Sequence, residues 1–156
     1  VEYKARQKMA KFLLGNVRHQ LDDKGRMRIP AKFRKGLGDT SYIIPGRAGC
    51  LFIVPEDKFL ETVTPLVEAN AFANTDANDL VTRILGNGDE LEEDAQGRVR
   101  LSRELAKAVG IEKEIVFVGK VNYLEIWPAE AWDARYSVLN PDNLSKMLEK
   151  LKNLGV

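Results

Sequence analysis

Two short segments of the chain place an aspartate, a glycine and an arginine at one spacing. Residues 22–26 read DDKGR, and residues 94–98 read DAQGR. An aspartate at the start of a turn accepts hydrogen bonds from the backbone that follows it, and its carboxylate pairs with a nearby guanidinium group. Arginine also binds phosphates and guanine edges through paired hydrogen bonds. The pattern therefore indicates either ion pairs that only stabilise the turns or an arginine surface for nucleic acid.

A second arginine follows each turn, so that residues 26–29 and 98–101 alternate between arginine and an apolar residue. Side chains alternate between the two faces of a strand, and both arginines of each segment are therefore predicted to face outward together. The glycine supplies the positive φ that a tight turn needs. The candidate DNA-binding residues are Asp22, Lys24, Gly25, Arg26 and Arg28 in the first segment, and Asp94, Gly97, Arg98 and Arg100 in the second.

The two segments belong to a longer internal repeat. A shift of 72 residues aligns residues 21–38 with residues 93–110, and a shift of 73 aligns LFIVP with LEIWP. Each copy is predicted to contain a strand, the turn, the arginine strand, a short helix near Pro30 or Ser102, two further strands, and a brief helix after Pro55 or Pro128. A unit of about 45 residues buries too little surface to be stable alone. The two copies are therefore expected to pack on each other across a pseudo-twofold axis, and further assembly of whole chains is favoured.

The remaining segments are predicted to be mostly helical. The C-terminal stretch begins with the capping residue Asn140 and with Pro141 at the first helical position, and leucines and Met147 form an apolar stripe along it. The predicted fold class is α+β and β-rich. The predicted divisions are a basic leader over residues 1–15, repeat one over 16–63, a helical linker over 64–88, repeat two over 89–133, and the C-terminal helix over 134–156.

Charge is distributed unevenly along the sequence. Residues 1–36 carry eleven basic and three acidic side chains, whereas the other 120 residues carry 13 basic and 20 acidic ones. Residues 17–36 have a net charge of +5 and residues 89–110 a net charge of −2. This asymmetry is typical of an acidic scaffold with one basic binding surface, although a solvated basic terminus explains it equally well. On this basis copy one is expected to make most of the DNA contacts and copy two mainly to build the assembly.

Four segments together resemble the MraZ family of bacterial transcriptional regulators. They are FLLGNVRHQLDDKGRMRIPAKFR, GCLFIVP, EEDAQGRVRLSRELAKAVG and VGKVNYLEIWPAEAW, and the resemblance covers residues 12–132. It implies two AbrB-type swapped-hairpin barrel units that bind double-stranded promoter DNA at repeats near the cell-division and cell-wall genes. It also implies a ring-like homo-oligomer in the cytoplasm, associated with the nucleoid. The leader extends beyond the usual start of the family.

Other function classes fit the sequence less well. No activated nucleophile or acid–base pair is evident, His19 is the single histidine, and Cys50 lies in an apolar segment, so no enzyme, metal site or cofactor is predicted. The arginine strands lack the aromatic residues on which RNA bases stack. No apolar run approaches the roughly 18 residues that cross a bilayer, which favours a cytoplasmic protein without a membrane partner. The alternatives that stay open are an AbrB-type antitoxin, a protein-interaction module and a structural ring protein.

Overall fold

The structure, a computed structural model, describes residues 12–70, 73 and 75–156. Most of the basic leader expected over residues 1–15 therefore lies outside the described residues. Eight strands and six helices follow one another in the described part. They are β1 (Asn16–Gln20), β2 (Arg26–Arg28), α1 (Ala31–Leu37), β3 (Ser41–Pro45), β4 (Leu51–Pro55), α2 (Glu56–Asn70), α3 (Thr75–Gly86), β5 (Asp89–Glu90), β6 (Arg98–Arg100), α4 (Arg103–Val109), β7 (Glu114–Gly119), β8 (Leu124–Pro128), α5 (Ala129–Arg135) and α6 (Pro141–Asn153).

The two copies exchange strands with each other. Strand β1 of copy one pairs with β7 of copy two, and β5 of copy two pairs with β3 of copy one. The two arginine strands, β2 and β6, pair with each other and form a separate two-stranded ribbon. The remaining strands form one sheet in the order β1-β7-β8-β4-β3-β5, and all of these pairings are antiparallel. Each copy therefore depends on the other to complete its hydrogen bonding.

The strand pairings obey the expected pseudo-twofold symmetry. Exchange of the two copies converts the β1–β7 pair into the β5–β3 pair, and it leaves the β2–β6 and β4–β8 pairs unchanged. At the centre of the ribbon Met27 lies opposite Val99, its counterpart in the repeat. In the same way Phe52 of β4 lies opposite its counterpart Glu125 of β8. The axis therefore passes through the middle of the ribbon and through the middle of the sheet.

The main hydrophobic core lies between the ribbon and the sheet. Met27 and Val99 reach it from the ribbon, and Ile53 and Ile126 reach it from the central sheet strands, all of them at most 2% exposed. Alternate residues of the same strands face the other side of the sheet, where Trp127 packs in a second, smaller cluster. Because burial holds Met27 and Val99 inward, the neighbouring arginines on the ribbon are turned outward. The ribbon and the six-stranded sheet thus face each other across the core.

The described part is mixed α and β, as the predicted α+β class requires, and its helices contribute more residues than its strands do. The excess comes from α2, α3 and α6, of which α3 and α6 contain no buried residue. The helix after Pro55 is also not brief, because it continues through Pro65 to Asn70 and so crosses the predicted boundary between repeat one and the linker. No helix in the described part of the protein combines the length and apolar character needed to cross a membrane.

The first strand of copy two is shorter than its counterpart. Strand β5 contains only Asp89 and Glu90, whereas the strand was predicted to continue to Asp94. Five of the six residues from 89 to 94 are acidic. Aspartate and glutamate have low β-propensity, and neighbouring carboxylates repel one another, so a longer strand is disfavoured here. Beyond β5, Glu93 forms one isolated antiparallel bridge with Val99 of the ribbon.

Candidate nucleic-acid interface

The turn before the first arginine strand is held by Asp22. One carboxylate oxygen, Oδ1, accepts hydrogen bonds from the backbone N–H groups of Lys24 at 2.9 Å and Arg26 at 2.8 Å. The other, Oδ2, accepts from Nε of Arg26 at 2.7 Å. Gly25 closes the turn with a φ of +74°, in the left-handed region that favours glycine. One aspartate thus fixes both the turn backbone and the direction of the first arginine.

The second turn repeats this geometry. Asp94 accepts backbone hydrogen bonds from Gln96 and Arg98, each at 2.9 Å, and its Oδ2 accepts from Nε of Arg98 at 2.9 Å. Gly97 has a φ of +75°. Both roles that the sequence suggested for the aspartates, bonding the turn backbone and orienting an arginine, are confirmed in each copy. The turn ion pair and an arginine surface are therefore parts of one arrangement.

These hydrogen bonds favour the ionised form of both aspartates. The backbone N–H of Arg26 lowers the pKa of Asp22 most, with the side chain of Arg26 adding to the effect. The backbone N–H of Arg98 does the same for the pKa of Asp94. At neutral pH each turn therefore carries a fixed negative charge beside its arginine.

Pairing of the two arginine strands brings the copies together. Arg26 lies opposite Arg100, and Arg28 lies opposite Arg98. All four residues occupy the face of the ribbon that points away from the core, and we refer to these four side chains as the arginine face. One contact links the two turns directly, since Nη1 of Arg98 lies 3.9 Å from Oδ2 of Asp22. The sequence placed two arginines on each of two separate strands, and the structure joins them into one surface.

The four arginines differ in how firmly they are held. Arg26 and Arg98 are paired with aspartates and their side chains are 23% and 25% exposed. Arg28 and Arg100 are exposed, and within the described part of the protein no hydrogen bond or ion pair holds either guanidinium group. The arginine face therefore offers two pre-positioned guanidinium groups and two that are free to bind an anion. Beside it, Lys24 of copy one lines an open groove together with Arg103 of copy two.

Comparison with known proteins identifies the family of this chain. The family model described as "MraZ protein, putative antitoxin-like" matches the sequence twice, over residues 12–82 and 84–153. The chain belongs to the MraZ family. Its relatives include proteins named "Transcriptional regulator MraZ" from three bacteria. The protein of Desulforamulus reducens is 34% identical over 92% of this sequence and 99% of its own length. The protein of Clostridium beijerinckii is 35% identical over 93% of this sequence and 100% of its own length. The protein of Saccharopolyspora erythraea is 37% identical over 78% of this sequence and 84% of its own length.

One residue that supports the site in this MraZ-family protein was missed by sequence reasoning. Arg34, on α1 of copy one, donates from Nη2 to the backbone oxygen of Gly97 at 3.0 Å and lies 3.6 Å from Oε1 of Glu93. It therefore holds the turn of copy two from the opposite copy. The repeat places Ala106 at the equivalent position, so this support has no counterpart. The contact joins residues 63 apart, and no local pattern in the sequence indicates it.

The remaining polar candidates do not form a reactive site. Cys50 is fully buried, and burial together with the Glu125 carboxylate raises the pKa of its thiol to about 12. This thiol is therefore neutral at physiological pH and is not available as a nucleophile. His19 lies on β1, and its ring and that of Phe117 form a T-shaped pair with 6.2 Å between the ring centroids. In the part of the protein that the structure describes, no three histidine, cysteine or acidic side chains are grouped to hold a metal ion.

Proposed function

We propose that this MraZ-family protein is a DNA-binding transcriptional regulator and not an enzyme. The observation that carries the proposal is the arginine face, where two copies of one turn present four guanidinium groups on a single two-stranded ribbon. The relatives named as transcriptional regulators support the same class of function. The finer target that the family resemblance implies, promoter repeats near the cell-division and cell-wall genes, is part of the proposal.

The ribbon suits double-stranded DNA in shape and in charge. The major groove of B-DNA admits a two-stranded ribbon, and arginine binds guanine edges as well as phosphates. Arg26 and Arg98, oriented by their aspartates, are assigned to specific contacts because their geometry is fixed before binding. Arg28 and Arg100, which are exposed, are assigned to phosphate contacts that position the protein on the duplex. Asp22, Asp94, Gly25 and Gly97 act by shaping the turns.

Copy one is proposed to contribute the larger share of the affinity. The arginine face contains residues of both copies, so DNA lying across it meets both. The tip of turn one carries Lys24, whereas turn two carries Gln96 at the same position. Acidic residues 89, 90, 92 and 93 precede turn two and oppose the approach of phosphates. The two turns therefore share a geometry but contribute unequally to binding.

The strand exchange and the exposed helices bear on fold and assembly. We propose that the exchange of β1 and β5 between copies, with the β2–β6 ribbon, is the AbrB-type swapped-hairpin arrangement. We further propose a homo-oligomer in the form of a ring, acting in the cytoplasm at the nucleoid. The wholly exposed α6 supports assembly, because an amphipathic helix of 13 residues is marginal in water by itself.

A binding titration tests the proposed function. Fluorescence anisotropy is measured with a duplex carrying direct repeats from the promoter of a cell-division and cell-wall gene cluster, and with a scrambled duplex of equal composition. Each is titrated at two salt concentrations. Specific binding that weakens steeply with salt is the expected result, because phosphate contacts release counterions. Equal affinity for both duplexes at low salt would contradict sequence-specific regulation.

An antitoxin role is the second candidate, favoured by the wording "putative antitoxin-like" in the family description. It requires a partner protein that binds outside the arginine face. Selective DNA binding without such a partner supports the regulator over the antitoxin.

A further inference from the structure

The C-terminal helix α6 stands away from the body of the molecule. Every residue from Asp133 to Val156 is exposed. The exposed residues include an apolar stripe at helical spacing, with Leu144, Met147, Leu148 and Leu151 between 45% and 64% exposed. Asn140 caps the helix by accepting hydrogen bonds from two backbone N–H groups. A capped helix with an uncovered apolar stripe requires a surface that covers the stripe.

Lysines border this stripe on both edges. Successive helical residues are rotated by about 100°, which places Lys150 beside Met147 on one edge and Lys152 beside Leu148 on the other. The acidic residues of α6, Asp142 and Glu149, lie on the opposite side of the helix by the same rotation. A surface that receives α6 is therefore expected to have an apolar floor and acidic borders.

A groove of that kind lies where copy one meets the end of the linker and the start of copy two. Tyr42, Ile44, Phe59 and Leu85 line an open cavity of about 270 Å³ beside the end of α3, and Asp89 and Glu90 lie at its border. Residues 56–90 of the sequence, which include Phe59, Leu85, Asp89 and Glu90 of the groove, carry eight acidic and two basic side chains. The apolar lining of the groove matches the apolar stripe of α6, and the negative charge matches the lysines that border the stripe.

We infer that α6 of one protomer docks into this groove of a second copy. The contact joins two different surfaces, so each protomer offers one helix and one groove to two different neighbours. Such a head-to-tail contact closes into a ring or continues as an open filament of subunits. The inference rests on the homo-oligomer of the proposed function and deepens it, because it names the contact that builds the assembly.

Charge favours this contact over pairing of two α6 helices. In an α6–α6 pair each apolar stripe is bordered by lysines, so like charges meet along the edges. In the helix-in-groove contact the lysines meet Asp89 and Glu90 instead. Charge complementarity therefore selects the groove of another copy as the site that receives α6.

A charge-exchange experiment tests the contact directly. The helix variant carries Lys150→Glu and Lys152→Glu, and the groove variant carries Asp89→Lys and Glu90→Lys. Each variant alone places like charges at the contact, so each is expected to elute as a 17.5 kDa monomer in size-exclusion chromatography with light scattering. An equimolar mixture restores opposite charges where the two variants meet and is expected to assemble beyond the monomer. Circular dichroism of the helix variant and of the groove variant checks that both fold.

Each outcome decides the inference. Assembly of the groove variant alone indicates α6–α6 pairing and overturns it, as does assembly of the helix variant alone. A mixture that stays monomeric overturns it too and points to docking of α6 within its own protomer. A further variant, Leu144→Ser with Leu148→Ser and Leu151→Ser, changes only exposed side chains and is expected to be monomeric; assembly of this variant would also contradict the contact. Binding of the helix variant to a single DNA repeat keeps the test separate from the proposed function, because this variant leaves both the arginine face and the acidic residues before turn two unchanged.

Discussion

At the scale of single residues, Asp22 and Asp94 do more than neutralise a neighbouring arginine. Each carboxylate accepts two backbone hydrogen bonds and one from a guanidinium group, so the turn and the arginine are fixed together. A rigid arginine loses less conformational freedom on binding than a free one. Arg26 and Arg98 are therefore suited to selective contacts, and the unheld Arg28 and Arg100 to phosphates.

Protonation of these aspartates is expected to destabilise the fold. Since their pKa values in the folded state lie below the ordinary value of 3.8, their contribution to stability is present above pH 3.8 and is lost as the pH falls below it. A variant with Asp22→Asn and Asp94→Asn is expected to be less stable than the unmodified protein at pH 7, with the difference shrinking at pH 3. Urea unfolding at both pH values measures this, with Asp79→Asn as an exposed ion-pair control. A difference that does not change with pH would contradict the assigned role.

Arg28 and Arg100 provide a matched test of unequal contributions from the two copies. Both are exposed and occupy equivalent positions on the ribbon. Arg28→Ala is expected to weaken DNA binding by about tenfold, or about 1.4 kcal/mol, and Arg100→Ala by less. Loss of one phosphate contact also reduces the salt slope of binding by about 0.9. Anisotropy titrations measure both quantities, and equal losses for the two variants would show that the copies contribute equally.

At the scale of elements, the two glycine turns are alike in backbone and different in surroundings. A Cβ atom on Gly25 would meet nothing closer than the backbone oxygen of Leu101 at 3.7 Å. A Cβ atom on Gly97 would lie 2.9 Å from Nη2 of Arg34. Turn two is thus supported by Arg34 of the other copy, whereas turn one has no equivalent of this contact because Ala106 occupies the corresponding position.

Alanine substitution at the two glycines tests this difference. The positive φ makes either substitution costly, and Gly25→Ala is expected to lower the free energy of unfolding by about 1–2 kcal/mol. Gly97→Ala by itself is expected to lower the free energy of unfolding by more than Gly25→Ala does, because the new Cβ atom also displaces Arg34. Urea unfolding compares the two, and an Arg34→Ala background should remove the difference. Equal costs in the unmodified background would show that Arg34 does not support the turn.

Whether an element could be predicted from the sequence depends on how far apart along the chain its stabilising contacts lie. The turns, the outward arginines, the Ser102 cap and the Asn140 cap depend on neighbours within a few residues, and the sequence predicted them correctly. The predicted extension of β5 to Asp94 was wrong, because the acidic residues that follow Glu90 disfavour a longer strand. Helix α2 is longer than the brief helix predicted after Pro55 and runs without a break into the segment predicted as a helical linker. The contact of Arg34 with turn two spans the two copies and left no local signal.

At the scale of the whole molecule, the exchange of strands makes the two copies one folding unit. Strands β1 and β2 of copy one find all their strand partners in copy two. The sequence predicted two copies packed across a pseudo-twofold axis, but not which strands would pair. Periodicity gives the face of a strand and not its neighbour, so the joined arginine face could not be read from the repeat alone.

Separation of the copies is expected to abolish folding. A fragment of residues 1–86 lacks the partners of β1 and β2, and a fragment of residues 87–156 lacks those of β5 and β6. Neither is expected to give a cooperative unfolding transition as a monomer, whereas an equimolar mixture should regain strand signal in circular dichroism. A cooperative transition from monomeric fragment 1–86 would contradict the interlocked fold.

We propose that the two copies together build one arginine face that binds DNA. The salt dependence of binding to promoter-repeat DNA tests this for the variant with Arg28→Ala and Arg100→Ala, which removes both unheld guanidinium groups. Arg83→Ala serves as the control, because it removes an exposed arginine of α3 outside the ribbon. We expect a salt slope reduced by about 1.8 in the double variant, about 0.9 for each phosphate contact, and no change in the control. An unchanged slope in a folded double variant would contradict the claim.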